Sequence, residues 1–440
     1  MSTIYLGAGL SQAQAQDDVT APAGPAAYVN AAPVNAGLID PSAPLGTLIA
    51  PANGTDSASV FADPTSGRTA NPNAHSNPHF QNNGGTIPGL TTASTFGGAF
   101  AGQAGPSKGK LFRYTMLGNS PEAGGTTNVP TNIDEVSWTL LNANGTVFKV
   151  VKFDAFESLT LGSPNFQDSS YSSSPSPTQF GDAVQRAEFF QSLQPGQPWH
   201  TRLVPAVVGK TNITVPFFVN VRLSNGSIIQ ARSYFTGTAS DGQTFILMLN
   251  LLFNFFFDNE VVNEINLGSF TTDALNVTAF PNTFLFSLNV NNPNTPGGCC
   301  VLGFHTYFLD GAVPQDRWLS IYASWISPGL FSGGVQDVTA LSHEVSETMN
   351  DPFVDNATPN WQFPGQPTGS TVCQNNLETG DPVEVLPNST FPVALGGFTY
   401  HPQTEALLPW FGMGTSNALN GAFSYPDTTA LPHAAKACGT

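Results

Sequence analysis

Positive charge is scarce in this 440-residue chain: 13 Lys and Arg stand against 30 Asp and Glu, for a formal charge of −17. Such a surface repels phosphate backbones and anionic lipid, which excludes nucleic acid as a natural partner and favours cations, whether metal ions or basic side chains. Charge of either sign is low, at 10% of residues against 40% apolar. Gly, Pro, Asn, Ser and Thr fill the balance, a mixture that disfavours a helical bundle and suits turn-rich β structure outside the cell. Long apolar runs are missing too. The most apolar stretch, residues 245–257, contains Asn250 and Asn254 and falls short of the roughly 20 residues a spanning helix needs. It reads as a buried strand, with no membrane span. Cysteine is limited to Cys299, Cys300, Cys373 and Cys438, and no C-x-x-C zinc pattern occurs. An even count in an acidic chain points to disulfides in an oxidising compartment, most simply joining the adjacent pair to Cys373 and Cys438, with four reduced thiols as the alternative. No basic residue precedes Arg68, so an intact signal peptide is not expected, although apolar residues 4–10 followed by Ala13-Gln14-Ala15 have the form of a signal remnant.

Length allows one to three domains. Residues 1–105 are rich in small and polar types without an apolar period, which predicts a low-complexity leader or propeptide, either disordered or laid as coil on the folded body. Residues 106–295 read as a β-rich domain. Val136, Trp138 and Leu140 alternate with polar residues before the turn Asn142-Ala143-Asn144-Gly145, and a second hairpin is centred on Asn225-Gly226. Residues 283–290 and 318–325 read as further strands, while Phe180, Val184, Ala187 and Gln191 share one helical face. Residues 296–440 carry the strongest helix, opened by Asp337 as N-cap and stopped by Pro352. The architecture predicted is α+β, a β-rich amino-terminal layer with a zincin-like metal helix in the carboxyl-terminal half.

On that helix Val338, Leu341, Val345 and Met349 form an apolar stripe that must face the core. His343 and Glu347 fall opposite it, one turn apart, and therefore point together towards a cleft or solvent. This is how an H-E-x-x-H helix presents two ligands, with the intervening glutamate, here Glu344, placed to deprotonate water. Glu347 in place of a second histidine adds negative charge, so calcium or manganese compete with zinc. A third ligand must come from elsewhere. Glu378 and Asp381 in Leu377-Glu378-Thr379-Gly380-Asp381 are the best candidates, one as ligand and the other as its support, in either order. His305 and His401 are the remaining histidines of interest, to complete the site or to bind a substrate carbonyl. The bland alternative is a solvated helix and a Gly-Asp turn whose carboxylates cap backbone amides.

From about Gly297 to Phe411 the chain resembles the plant phosphate-induced or Exordium-like proteins and the secreted bacterial metallopeptidase-like proteins that share their core. The resemblance rests on Cys299-Cys300-Val301-Leu302-Gly303-Phe304-His305, VTALSHEVSETMNDP from Val338 to Pro352, Trp361, LETGDP from Leu377 to Pro382, and GGFTYHPQ from Gly396 to Gln403. It implies an extracellular protein with a zincin-like helix. Where the family has His-Glu-Leu-Ala-Glu, Val345 and Ser346 replace Leu and Ala, and Val383 and Glu384 stand where plant members have a cysteine. The reading is a secreted metal-dependent peptidase, with zinc as the metal, acting on peptide or protein, with His343, Glu347 and Glu378 or Asp381 as ligands and Glu344 and His305 as catalytic groups. The alternative is a non-catalytic, metal-stabilised protein that binds an extracellular surface polymer, in adhesion or assembly. Sugar stacking on Trp361 and Trp410 is a third.

Overall fold

A computed structural model describes residues 34–35, 45, 47–49, 92–193, 198–309, 316–367, 369–370 and 373–439. Most of the stretch read as a leader lies outside the described residues; within it, Val34–Asn35, Leu48–Ile49 and Thr95–Ala101 are strands. Strands β1 (Gly125–Leu141), β2 (Val147–Val151), β3 (Trp199–Val215), β4 (Leu275–Pro281), β5 (Gly303–Leu309) and β6 (Arg317–Trp325) build the main sheet. In it β5, β6, β4 and β1 are neighbours in that order, Val34–Asn35 joins the free edge of β5, and both β2 and β3 pair with β1. β6, β4, β1 and β3 are parallel, whereas β5 runs antiparallel to β6. Strands from both sides of residue 295 thus share one sheet, and the molecule is α+β and strand-rich.

Both faces of this sheet are buried, and the residue alternation of a strand decides which side chain goes where. Trp138, Phe280, Phe304 and Tyr322 enter one core; Ile133, Val277, Tyr307 and Ile321 enter the other. Four helices matter for the site: α1 (Phe180–Glu188), α2 (Asn250–Leu267), α3 (Thr339–Asn350) and α4 (Asp381–Glu384). Phe253, Phe257 and Val261 of α2 fill the first core, while Leu341, Val345 and Met349 of α3 fill the second. The sheet is therefore sandwiched between them.

Residues 245–257 do not form one strand. Thr244–Leu249 is a strand of a second, four-stranded sheet, and the chain then turns into α2 at Asn250. A run that is apolar on every side carries neither the strand nor the helix period, so pattern alone does not separate the two. Both hairpins form as read, with Gly145 at φ 80° and Gly226 at φ 84° in the left-handed region that their tight turns require. The disulfides join Cys299 to Cys300 and Cys373 to Cys438, a correction to the expected pairing. The reason is the short ribbon in which Cys373 and Lys436 both pair with Gln362, which brings the Cα atoms of Cys373 and Cys438 to 5.9 Å. Two disulfides fit an extracellular protein. Among the described residues no helix is long and apolar enough to cross a membrane. Trp361 and Trp410 are buried core residues, which removes them as sugar platforms.

Candidate metal centre

The apolar stripe of α3 packs on the sheet as its spacing requires, but the opposite side faces no solvent. Every residue of α3 is buried. The segment around Gly380 and the strand-like run near Gln403 close over it through polar bolts: the Gly380 N–H donates to Glu347 Oε1 at 3.1 Å, and Ser346 and Thr379 hydroxyls meet at 3.1 Å. The Gln403 N–H donates to Ser342 Oγ at 2.8 Å, and the Gln403 amide donates to the Gly380 carbonyl at 2.7 Å. Asp337 is not the N-cap. Val338 occupies that position without a side-chain cap, and the Asp337 carboxylate instead accepts the backbone N–H of His401 at 2.8 Å and lies 2.7 Å from its Nδ1. His401 is thereby a staple for the start of α3, outside the donor group.

Inside the covered side two histidines and five acids converge. His343 Nε2 lies 3.1 Å from Glu347 Oε1 and 3.7 Å from Asp381 Oδ1. Across from it, His305 Nδ1 lies 3.4 Å from Glu347 Oε2 and 3.5 Å from Glu344 Oε2, and His305 Nε2 lies 3.9 Å from Glu378 Oε2. Glu347 therefore shares its two oxygens between two imidazoles. Asp381 stands with His343, and Glu378 stands with His305. His305 reaches the site because β5 alternates: Phe304 and Phe308 enter the core beneath the sheet while Gly303, His305 and Tyr307 face α3. Glu405, which spacing did not single out, is buried and near enough for its charge to act on His343. Its strand is only two residues long, too short for a period, so no sequence signal marked it.

Electrostatics here are dominated by burial. Burial pushes the Glu344 carboxyl up to about 7 and, together with the neighbouring Glu347 charge, pushes Asp381 to about 8. Glu378 and Glu405 are held well above the carboxylate range by the same burial, with Glu347 adding to it. Burial would lower both imidazoles, yet the facing carboxylates outweigh it and hold His305 and His343 well above the usual histidine value. Glu347 is the exception among the acids: burial opposes its charge, but His343 and His305 overcome that and keep it ionised well below the usual range. The chamber thus asks for positive charge, and imidazoles are the only cations in its described ion pairs.

The donor set fits a metal ion on two further observations. His305 Nε2 lies 3.2 Å from the Asp351 carbonyl, which can only accept, so Nε2 carries a proton and Nδ1 is the nitrogen that faces Glu344 and Glu347, as a donor to them when protonated and as a metal donor once that proton leaves. Neither oxygen of Glu344 or of Glu378 has a hydrogen-bond partner, a costly state for buried acids. A tetrahedral ion with ligand bonds of about 2.0–2.1 Å spaces its ligand atoms about 3.4 Å apart, close to the separations found. Two groups, His343/Glu347/Asp381 and His305/Glu344/Glu347, have donor atoms that lie within 4.8 Å of one another. Imidazole with carboxylate suits zinc or manganese better than calcium, which prefers an all-oxygen set. The walls are close: a Cβ on Gly303 would lie 2.7 Å from Glu344 Oε1, and one on Gly380 would strike the His343 ring. An open concavity of about 620 Å³ lined by Asn142, Phe148, Phe217, Arg232 and Tyr234 shares none of these residues. No protein-family model, curated protein or solved structure matches the chain.

Proposed function

We propose that the chain is an extracellular, secreted metal-dependent peptidase, with zinc as its metal. The observation that carries this reading is Glu344: a buried acid without a hydrogen-bond partner, poised at about 7, beside a group of histidine and carboxylate donors. His343, Glu347 and Asp381 would hold the ion, and Glu378 would support the site from the His305 side. When bound, the ion supplies a Lewis acid for the scissile carbonyl and lowers the pKa of water. Glu344 takes a proton from the attacking water and passes it to the leaving amine, a task for which a carboxyl near neutrality is suited. His305, oriented by the Asp351 carbonyl, faces the same space through Nδ1 and in its protonated form donates to the oxyanion. Covering of the site by the Gly380 and Gln403 segments excludes water from side reactions. The resemblance to secreted bacterial metallopeptidase-like proteins agrees with this assignment.

Complete burial of the donors favours a second reading, a closed metal centre that stabilises a binding or adhesion protein, since a structural site needs no open position. Elemental analysis of the protein beside His343→Ala and Glu344→Gln, with hydrolysis of an unfolded protein substrate, separates the two. The peptidase reading expects zinc lost in His343→Ala but kept in Glu344→Gln, while both lose hydrolysis by at least 100-fold. Zinc bound by a wild-type protein that hydrolyses nothing assigns the closed centre. Activity that survives Glu344→Gln removes the peptidase mechanism.

A further inference from the structure

A second group of buried acids lies on the other face of the main sheet, under α2. Asp134 of β1 belongs to the same strand face as Val136, Trp138 and Leu140, so a carboxylate stands where the pattern calls for an apolar side chain. It is 0% exposed, and Glu260 and Glu264, one turn apart on α2, are 8% and 3% exposed. One carboxylate oxygen from each lies within 4.8 Å of the others. Neither oxygen of Asp134 has a hydrogen-bond partner, and Glu264 Oε2 has none. The Thr211 hydroxyl donates to Glu260 Oε1 at 2.8 Å, which uses the one proton it has. Thr278, the β4 residue that pairs with Asp134, turns a buried hydroxyl without a partner to the same region.

The backbone is shaped around these groups. The β1–β3 register shifts at this point, Ile133 pairing with Val207 and Asp134 with Gly209, so Val208 is an extra residue that bends the strand. Gly209 follows the bulge, and a Cβ there would lie 2.5 Å from Asp134 Oδ1 and 3.3 Å from Glu264 Oε2. Only glycine leaves that space to the carboxylates. Lys210, the nearest basic residue in sequence, points to the opposite face, where it pairs with Glu135 and Glu157.

We infer that Asp134, Glu260 and Glu264 form a second cation site, one that takes a hard divalent ion such as calcium or manganese. An oxygen-only set of three carboxylates with a hydroxyl at hand is the ligand chemistry of those ions and not of zinc. Burial, followed by the charges of Glu260 and Glu264, pushes Asp134 up to about 8, and a bound cation would offset both. Its structural effect is to tie the second half of α2 to β1 and β3, independent of the histidine-containing centre.

The probes are calcium and manganese ions added to chelator-treated full-length protein, followed by equilibrium dialysis and thermal melting. One equivalent of calcium is expected to bind to the wild type and equally to His343→Ala, with a rise in melting temperature; manganese, which the histidine-containing centre also suits, is counted as the equivalent that remains in His343→Ala. Asp134→Asn and Glu264→Gln are expected to lose that equivalent, with affinity reduced at least 100-fold and the melting shift gone. Gly209→Ala keeps every carboxylate but fills their space; it should weaken the ion at least 10-fold, and it carries the test where a carboxylate variant does not fold. Failure of both ions to bind the wild type, or binding that is unchanged in Asp134→Asn, Glu264→Gln and Gly209→Ala, overturns the assignment. Loss of the equivalent in His343→Ala would also overturn it, by placing the ion at the other centre.

Discussion

Gly380 has φ −81°, an ordinary conformation that any residue adopts, so what this position requires is closeness and not backbone freedom. A methyl group there would strike the His343 ring, and the ring can retreat only by leaving Glu347 Oε1 and Asp381 Oδ1. Gly380→Ala is therefore expected to cost about 1–3 kcal/mol of stability through overpacking and to weaken metal about 10–100-fold through the displaced ligand. Competition with a chelating dye measures this, and an unchanged metal affinity would show that His343 is not a ligand. His305 illustrates the limit of reading single residues. A lone histidine after an apolar run carries no partner in its own neighbourhood; its role becomes legible only when the strand alternation puts it on the face with Tyr307 and the sheet brings β5 under α3.

At the level of elements, α3 holds the site because its other side is anchored. Met349 is 1% exposed, lies in the core with Leu341 and Val345, and packs against Gly181 of α1 so closely that a Cβ on that glycine would meet its sulfur. Met349→Ala removes the side-chain contact of α3 with Gly181 and leaves a cavity, at an expected cost of about 2–5 kcal/mol, read as a lower midpoint in urea with an unchanged slope. A loss below 0.5 kcal/mol would mean that the α1–α3 packing does not hold the helix. This stripe, both hairpins and α1 were legible because each carries one period over several residues. Elements with no such period were not. Residues 245–257 are apolar apart from Asn250 and Asn254, which hides the change from strand to helix at Asn250, and Glu405 lies in a two-residue strand placed by its partner Tyr425. The covering of α3 was hidden for the same reason: it comes from hydrogen bonds of Gly380 and Gln403, which no pattern on α3 announces.

For the molecule as a whole, the cost of buried acid is not confined to the two proposed cation sites. Glu188, 2% exposed at the end of α1, accepts the backbone N–H of Leu408 at 2.8 Å, a link across 220 residues of sequence, while its Oε2 has no partner. Burial pushes its carboxyl up to about 8, with the Leu408 N–H opposing in part, and a negative charge at a helix C-terminus is unfavourable in any case. The unfolded chain releases this proton near pH 4.3 whereas the native state keeps it to about 8. Between those values the folded state binds more protons, so stability falls as pH rises: its contribution is full below about pH 4.3 and lost above about pH 8, an effect on the order of a few kcal/mol. Glu188→Gln keeps the acceptor for Leu408 and removes the titration. Urea midpoints measured from pH 5 to 9, with metal held saturating, are expected to decline less steeply in Glu188→Gln than in the wild type, and the variant should be the more stable of the two at pH 9. Parallel profiles would show that the link between α1 and the carboxyl-terminal segment tolerates the ionised form, and that the pH dependence arises at other buried acids.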